Sequence, residues 1–422
     1  MSLGWPKNRS SYGILGMPKI MVKDGMIREA VTRRDTIRYG GTVVGAGLLA
    51  GCTGDDDQAS SQSGSDAQSD SGTTGDESYS VTMSPVGTVE FTAPPANVLT
   101  ILPHHADMAL AAGHGDAVSS MLYNPEYNDT IWNKFLERLP GVSVDWADLP
   151  GTWNPSKELL YELNSDLHLA DPAYMTTMQS WATDDIEEIS ANVAPWFGNT
   201  FSNANKEPPA GWADGYQYFT LWEIFEKVTQ VFQAHARYEA LAKIHTEMLS
   251  EIETRLPPEN ERPTAAMIIL IESEDSMYVY ALNGPGFLTA HTRPLGATDV
   301  FADVPTESTV DFEALIEADP DVILCLAGMS EPRHVRKTRE RLASNPATRS
   351  LSAVRNGRIH TQGGRNQGPV MNLFQIEMTA KQLYPDVFGE WPLYTEGSYP
   401  ELPAEEQLFD RQRVADIITG EI

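Results

Sequence analysis

Between Leu221 and Leu256 the chain runs thirty-six residues without a glycine or a proline, and no other feature limits the possible folds so sharply. Apolar residues recur there at three- and four-residue spacing: Leu221, Ile224 and Phe225, Val228, Val231 and Phe232, Tyr238, Leu241, Met248 and Leu249, Ile252, Leu256. That is the period of one helix face, so the segment is expected to form a single helix with a buried stripe. At full length it would be roughly 54 Å long, enough to cross the back of two lobes and fix their separation. His235 falls on the stripe and is expected to be a core histidine.

Short apolar runs alternate with helical patterns on both sides of this segment. Val98–Leu102, Ala117–Leu122 and Asp166–Ala170 read as strands before it; Ala265–Glu272, Met277–Leu282, Asp321–Ala327 and Arg358–Gln362 read as strands after it. The alternation predicts parallel βα units in each half. Residues 157–169 and 312–324 also align at an offset of 155, with five of thirteen positions identical. Each copy reads as a short helix, a turn and a buried strand. The predicted fold class is therefore α/β, with two Rossmann-like lobes joined by a single long backbone helix.

The first eighty residues follow different rules. Residues 1–52 hold three Lys and five Arg against three acids, while the whole chain has a net charge of −29. Thr32-Arg33-Arg34-Asp35-Thr36-Ile37 has the form of a twin-arginine region, and Thr42 to Ala50 is a short apolar stretch too brief to span a bilayer. Leu49-Ala50-Gly51-Cys52 then matches a lipobox, with Cys52 as the lipid acceptor. The Asp-, Ser- and Gly-rich residues that follow contain too little apolar surface to fold and read as a stalk. The expected partition is a signal over 1–51, lipidated Cys52 and stalk over 52–80, a first lobe over 86–220, the connecting helix over 221–256, a second lobe over 263–390 and a tail over 391–422. Phe409, Val414, Ile417 and Ile418 are expected to pack that tail back on the first lobe.

Charge and cysteine content exclude some classes of function. Asp and Glu total 59 against ten Lys and twenty Arg; such a surface suits high salt and repels nucleic acid. Cys325 is the only other cysteine, so no internal disulfide is expected, and its apolar surroundings make it a small buried hydrophobe. The sequence has no Gly-x-Ser-x-Gly elbow, His-Glu-x-x-His helix or phosphate loop, which argues against an enzyme.

Several motifs in this order resemble one family. They are 98–113 (an opening strand, loop and helix), the paired segments around Glu158 and Glu313, 295–303, 351–360, and Gln367-Gly-Pro-Val-Met-Asn-Leu-Phe-Gln-Ile-Glu377. Behind a lipoprotein signal, this set is similar to the substrate-binding proteins of ABC importers that serve iron–siderophore complexes, cobalamin or haem, in particular a haloarchaeal iron–siderophore branch. The resemblance implies an extracytoplasmic monomer held to the membrane by its lipid alone, partnered by a permease and its ATPase. It implies no resident cofactor. The implied cargo is a small-molecule metal chelate, an iron(III) siderophore complex, with cobalamin or haem as alternatives on the same scaffold.

The family's ligand lies between the lobes, where open α/β sheets also bind ligands on general grounds. By resemblance the contacts would come from His104 and His105, Tyr123, Trp153, Trp196, Phe287, Met329 and Arg365, and Glu158 and Glu313 would dock on permease arginines. Chemically, Trp153, Trp196 and Phe287 offer flat faces. Arg365 offers a fork for ligand oxygens, and the helix expected to begin at Gly368-Pro369 offers free N–H groups to an anion. A second alternative is a receptor for free zinc or manganese ions, with His104 as a ligand and His114 and His291 as its company.

Overall fold

The computed structural model describes residues 78–122 and 125–421. The twin-arginine segment, Cys52 and Tyr123 lie outside the described residues. Among those described, no helix is long and apolar enough to cross a membrane. Ordered structure starts before the expected boundary. Tyr79–Met83 (β1) and Gly87–Phe91 (β2) form an antiparallel hairpin. It buries Val81, Met83, Val89 and Phe91 on one face, by the two-residue period of a strand. The boundary expected at residue 80 therefore lies inside β1.

In the first lobe, β3 (Val98–Thr100) leads into α1 (Pro103–Ala111), then α2 (Pro125–Leu136), α3 (Lys157–Leu163), β4 (Leu167–Leu169), α4 (Pro172–Met175), α5 (Thr183–Asn192) and α6 (Ala210–Ala213). β3 and β4 pair in parallel, with Val98 opposite Leu167. Single parallel bridges, Val98 to Val118, Met121 to Gly151 and His168 to Trp196, widen the array on both sides. The strand expected over 117–122 is thus present only as isolated bridges.

The connecting segment differs from the expected single helix. It forms α7 (Leu221–Val231) and α8 (His235–Arg255), separated by a turn in which Gln233 takes φ +52°. Trp222 stacks on His245 with ring centroids 4.3 Å apart, and Phe225 meets Tyr238 edge-on at 5.9 Å. Those pairs are too far apart along a straight helix to touch, so α7 folds back on α8 as a hairpin. The apolar stripe is real, but its two halves face each other. α8 alone, about 32 Å long, is the backbone helix between the lobes. His235 is exposed at its start and pairs with Glu239 at 3.7 Å; the histidine packed within this hairpin is the half-buried His245, against Trp222.

The second lobe contains β5 (Thr264–Leu270), β6 (Ser276–Tyr280), β7 (Thr298–Asp299), β8 (Thr309–Asp311), α9 (Phe312–Ala318), β9 (Val322–Cys325), α10 (Val335–Ser344), α11 (Ser352–Arg355), β10 (Ile359–Thr361), α12 (Pro369–Leu383) and α13 (Pro385–Phe388). The sheet order is β10-β9-β5-β6-β8, with β7 also on β5. β5, β9 and β10 are parallel and β6 is antiparallel. Cys325 is buried, and burial pushes its thiol up to about 12.

The internal repeat is structural. α3 and α9 are each seven residues long and are capped by Ser156 and Asp311. They end on Asn164 at φ 43° and Asp319 at φ 35°, the left-handed cap that Asn and Asp tolerate. Asp166 and Asp321, identical in the alignment, also have the same role. Asp166 accepts from the backbone N–H of Ala96 and Asn97 at 2.9 Å, and Asp321 accepts from that of Thr264 at 2.9 Å. In each lobe this aspartate ties the second repeat strand to the start of the first.

The tail closes the molecule. α14 (Arg411–Thr419) packs on α1 and α8, and Phe409, Val414, Ile417 and Ile418 are all buried.

Candidate functional site

The two lobes meet around α12, whose fifteen residues are all buried. Pro369 sets its first turn and Asp107 of α1 caps it. The Asp107 carboxylate accepts from the N–H groups of Gly368 at 3.1 Å, Val370 at 3.1 Å and Met371 at 3.0 Å. Burial pushes this carboxyl up to about 7, while the three donors pull it down. A Cβ at Gly368 would stand 2.5 Å from the Asp107 Cβ, so only glycine admits this approach. The free N–H groups expected to face a ligand anion are therefore used by the protein's own carboxylate.

Beside this cap lies a buried junction. Gln367 donates to the Phe287 carbonyl at 3.2 Å, shares a hydrogen bond with His291 Nδ1 at 2.7 Å, and accepts from Asn372 and Gln375. Phe287 packs on the His104 ring at 4.9 Å, and His104 on His105 at 3.9 Å. The four ring nitrogens of His104 and His105 have no hydrogen-bond partner. Burial holds His105 down at about 3; burial and then His105 hold His104 well below its usual range. Both imidazoles are neutral. His114 is elsewhere, stacked on Phe232 at 4.6 Å. Among the described residues, no three His, Cys, Asp or Glu are grouped to hold a metal ion, so the histidine set of the free-ion alternative does not come together there.

Charge from both lobes meets at a second place. Arg365, on the loop after β10, donates to Glu307 Oε1 at 2.8 Å and lies 4.5 Å over the Tyr280 ring. Lys206, from the first lobe, reaches Glu307 Oε2 at 3.9 Å. Tyr174, also from the first lobe, is pushed up to about 12 by burial and then by the Glu307 charge. Tyr280 is raised by burial and drawn down by Arg365 and Arg333. Close by, Gly286 at φ +84° approaches the first lobe so tightly that a Cβ would stand 2.3 Å from the Asn203 carbonyl oxygen. This arrangement has a forked cation, a second cation, two phenols and a carboxylate. It suits recognition of a polar, oxygen-rich ligand by charge and hydrogen bonds.

The remaining expected contacts are scattered. Trp153 is exposed and follows Thr152, whose hydroxyl donates to the Thr100 carbonyl at 2.7 Å at the carboxyl edge of the first sheet. Trp196 is no cleft wall. Its ring is in the first lobe's interior, 6.0 Å from Trp181 and 4.5 Å from His168, because its bridge to His168 turns it inward. Met329 is buried, and its carbonyl accepts from Lys134 of α2 at 2.6 Å; it links the lobes through backbone. Glu158 and Glu313 are exposed on the first turns of α3 and α9. Glu158 is held below the usual carboxylate range by its own backbone N–H and by Ser156.

Sequence reasoning missed Tyr174, Lys206, Tyr280 and Glu307. Tyr174 follows β4 and was within reach of the rule that loops at strand carboxyl ends carry ligands. Tyr280 read only as a strand residue, and Glu307 and Lys206 sit in loops without a motif.

The model of the periplasmic binding protein family matches residues 117–364. Among solved structures, a periplasmic binding protein from Veillonella parvula superposes with a TM-score of 0.53 at 16% identity, covering 77% of this chain and 95% of that one. A periplasmic solute binding protein from Mycobacterium smegmatis gives 0.51 at 17%, covering 74% and 99%. Ceue of Helicobacter pylori with Ni(II) bound gives 0.51 at 14%, covering 74% and 90%. At these identities the likeness is one of fold. No curated protein matches the sequence.

Proposed function

The chain belongs to the periplasmic binding protein family, and from that premise we propose that it is the solute-binding component of an ABC importer, capturing a ferric siderophore complex between its lobes. As a member of that family it is a binding protein rather than an enzyme. The observation that supports this cargo is the interlobe cluster of Arg365, Tyr280, Glu307, Lys206 and Tyr174, which matches the oxygen-rich and frequently anionic periphery of an iron chelate. Ceue binds Ni(II), which makes a bare-ion receptor the natural competitor. The dispersed histidines and the absence of a converging donor set among the described residues favour a preformed chelate. Haem or cobalamin calls for broad apolar walls, and this cluster is polar.

Delivery follows from the same reading. Glu158 and Glu313 stand at matching places on α3 and α9, one on each lobe, and are proposed to dock on permease arginines. Cys52 is proposed to carry the lipid, holding the protein at high effective concentration near its permease. The test of the binding site is Arg365→Ala. It is expected to weaken binding of an anionic ferric chelate by about tenfold or more, the worth of a charge-assisted hydrogen bond. Unchanged affinity for every chelate would remove Arg365 from the site.

A further inference from the structure

Two features fix Glu307 in its position. It is a non-glycine residue at φ +69°, in a region that residues with a Cβ adopt at a cost. The turn before β8 places it there: the Ser308 N–H donates to the Pro305 carbonyl at 3.1 Å with Glu307 as the third residue of the turn, and the Glu307 N–H donates to the Val279 carbonyl at 2.8 Å. That backbone sets its two carboxylate oxygens between cations of opposite lobes, Oε1 at 2.8 Å from Arg365 and Oε2 at 3.9 Å from Lys206. The Arg365 side chain is only 11% exposed, and its guanidinium is sandwiched between Tyr280 and this carboxylate. The forked donor of this interlobe cluster is therefore already occupied by a carboxylate of the same chain.

We propose that Glu307 is an internal stand-in for the ligand's anionic arm, a gate that only a chelate bearing its own oxyanion displaces. The inference rests on the receptor reading above and narrows it to anionic ferric chelates. The exchange is one of ion pairs: a ligand oxyanion takes the Arg365 fork, and the Glu307 carboxylate leaves it while still beside Lys206. No bond is made or broken and no proton need move. A neutral or cationic chelate offers nothing in exchange and leaves Arg365 paired with Glu307, whereas an anionic chelate must displace that carboxylate, so the stand-in keeps Arg365 paired in the empty receptor and costs the anionic chelate part of its affinity. Keeping Lys206 paired also retains one charge link between lobes when ligand is bound.

The experiment is titration of the full chain and of Glu307→Gln with two probes, an anionic ferric tricatecholate and a cationic ferric trihydroxamate, followed by quenching of tryptophan fluorescence. Glu307→Gly, which suits the left-handed backbone, is run beside them to separate loss of charge from any disturbance of the loop. The expected result is tricatecholate binding tightened by about tenfold in both variants, with the trihydroxamate no tighter. Tricatecholate affinity unchanged or reduced in both variants, where the unaltered chain binds it, overturns the gate and leaves the receptor reading standing. Binding of neither ferric chelate by any of the three proteins overturns the receptor reading and the gate with it.

Discussion

Eight of the nine histidines are held below their usual pKa, and in each case burial is the largest cause. The six most affected decide how stability depends on pH. His105, His291 and His360 are held at about 3, His168 and His245 at about 4, and His104 well below 6.5. Below pH 6.5 the unfolded chain takes up protons that these native imidazoles refuse, so stability falls as pH falls from 6.5 toward 3. Each contributes up to about 1.4 kcal/mol per pH unit. Asp107 and Asp171, raised to about 7 and about 6, act oppositely: their stabilising contribution is full below pH 4 and is lost as pH rises through those values. Six groups outweigh two, so the urea midpoint is predicted to drop between pH 7 and pH 5. A flat or rising midpoint would show that these imidazoles are not buried neutral. At this scale the sequence singled out Arg365 for its forked donors, and the structure places it against Glu307 and Tyr280. Its partner Glu307 was not legible, because an acid in a chain with 59 of them carries no signal.

The elements show where local sequence is a sufficient guide and where it is not. The repeated helix–turn–strand unit was legible because its cap, its left-handed terminator and its strand-tying aspartate each demand a particular residue type. The break between α7 and α8 was not. Turns are recognised by glycine and proline, and here Gln233 takes the left-handed position instead. Two facing amphipathic helices also show the same apolar spacing as one. The β1–β2 hairpin was hidden by the polar segment beside it. The tail gives the sharpest prediction for an element. Arg411 donates to the fully buried Glu377, which also accepts from the Tyr399 hydroxyl at 2.7 Å and the Leu408 N–H at 2.7 Å. The Arg411 guanidinium lies 3.7 Å from the centre of the Phe409 ring. Arg411→Met leaves that carboxylate without its countercharge and is predicted to cost about 3–5 kcal/mol in urea unfolding, with ferric chelate affinity unchanged. A loss below 1 kcal/mol would mean that the tail is held by its apolar contacts alone.

Across the whole molecule, the lobes are tied by more than α8. α12 is anchored to the second lobe by Arg358, which donates to the Gln382 and Leu383 carbonyls at its end. Its other end is capped from the first lobe by Asp107. Lys134 to Met329 and Lys206 to Glu307 add further links. Wide separation would break these links, so small rocking of the lobes is the predicted motion, and scattering with and without ligand checks it. On the outside of the lobes stand two exposed carboxylates at equivalent places. Charge reversal at Glu158 and Glu313 together is predicted to abolish uptake while the purified protein binds its chelate as before; uptake at the normal rate would dismiss them as docking groups. The central claim is that the cleft carries iron in a chelate, and the absorption spectrum of the protein isolated from its native medium tests it most directly. The account predicts a visible charge-transfer band that disappears when the iron is reduced and removed. A Soret band or a corrin spectrum in its place would contradict it.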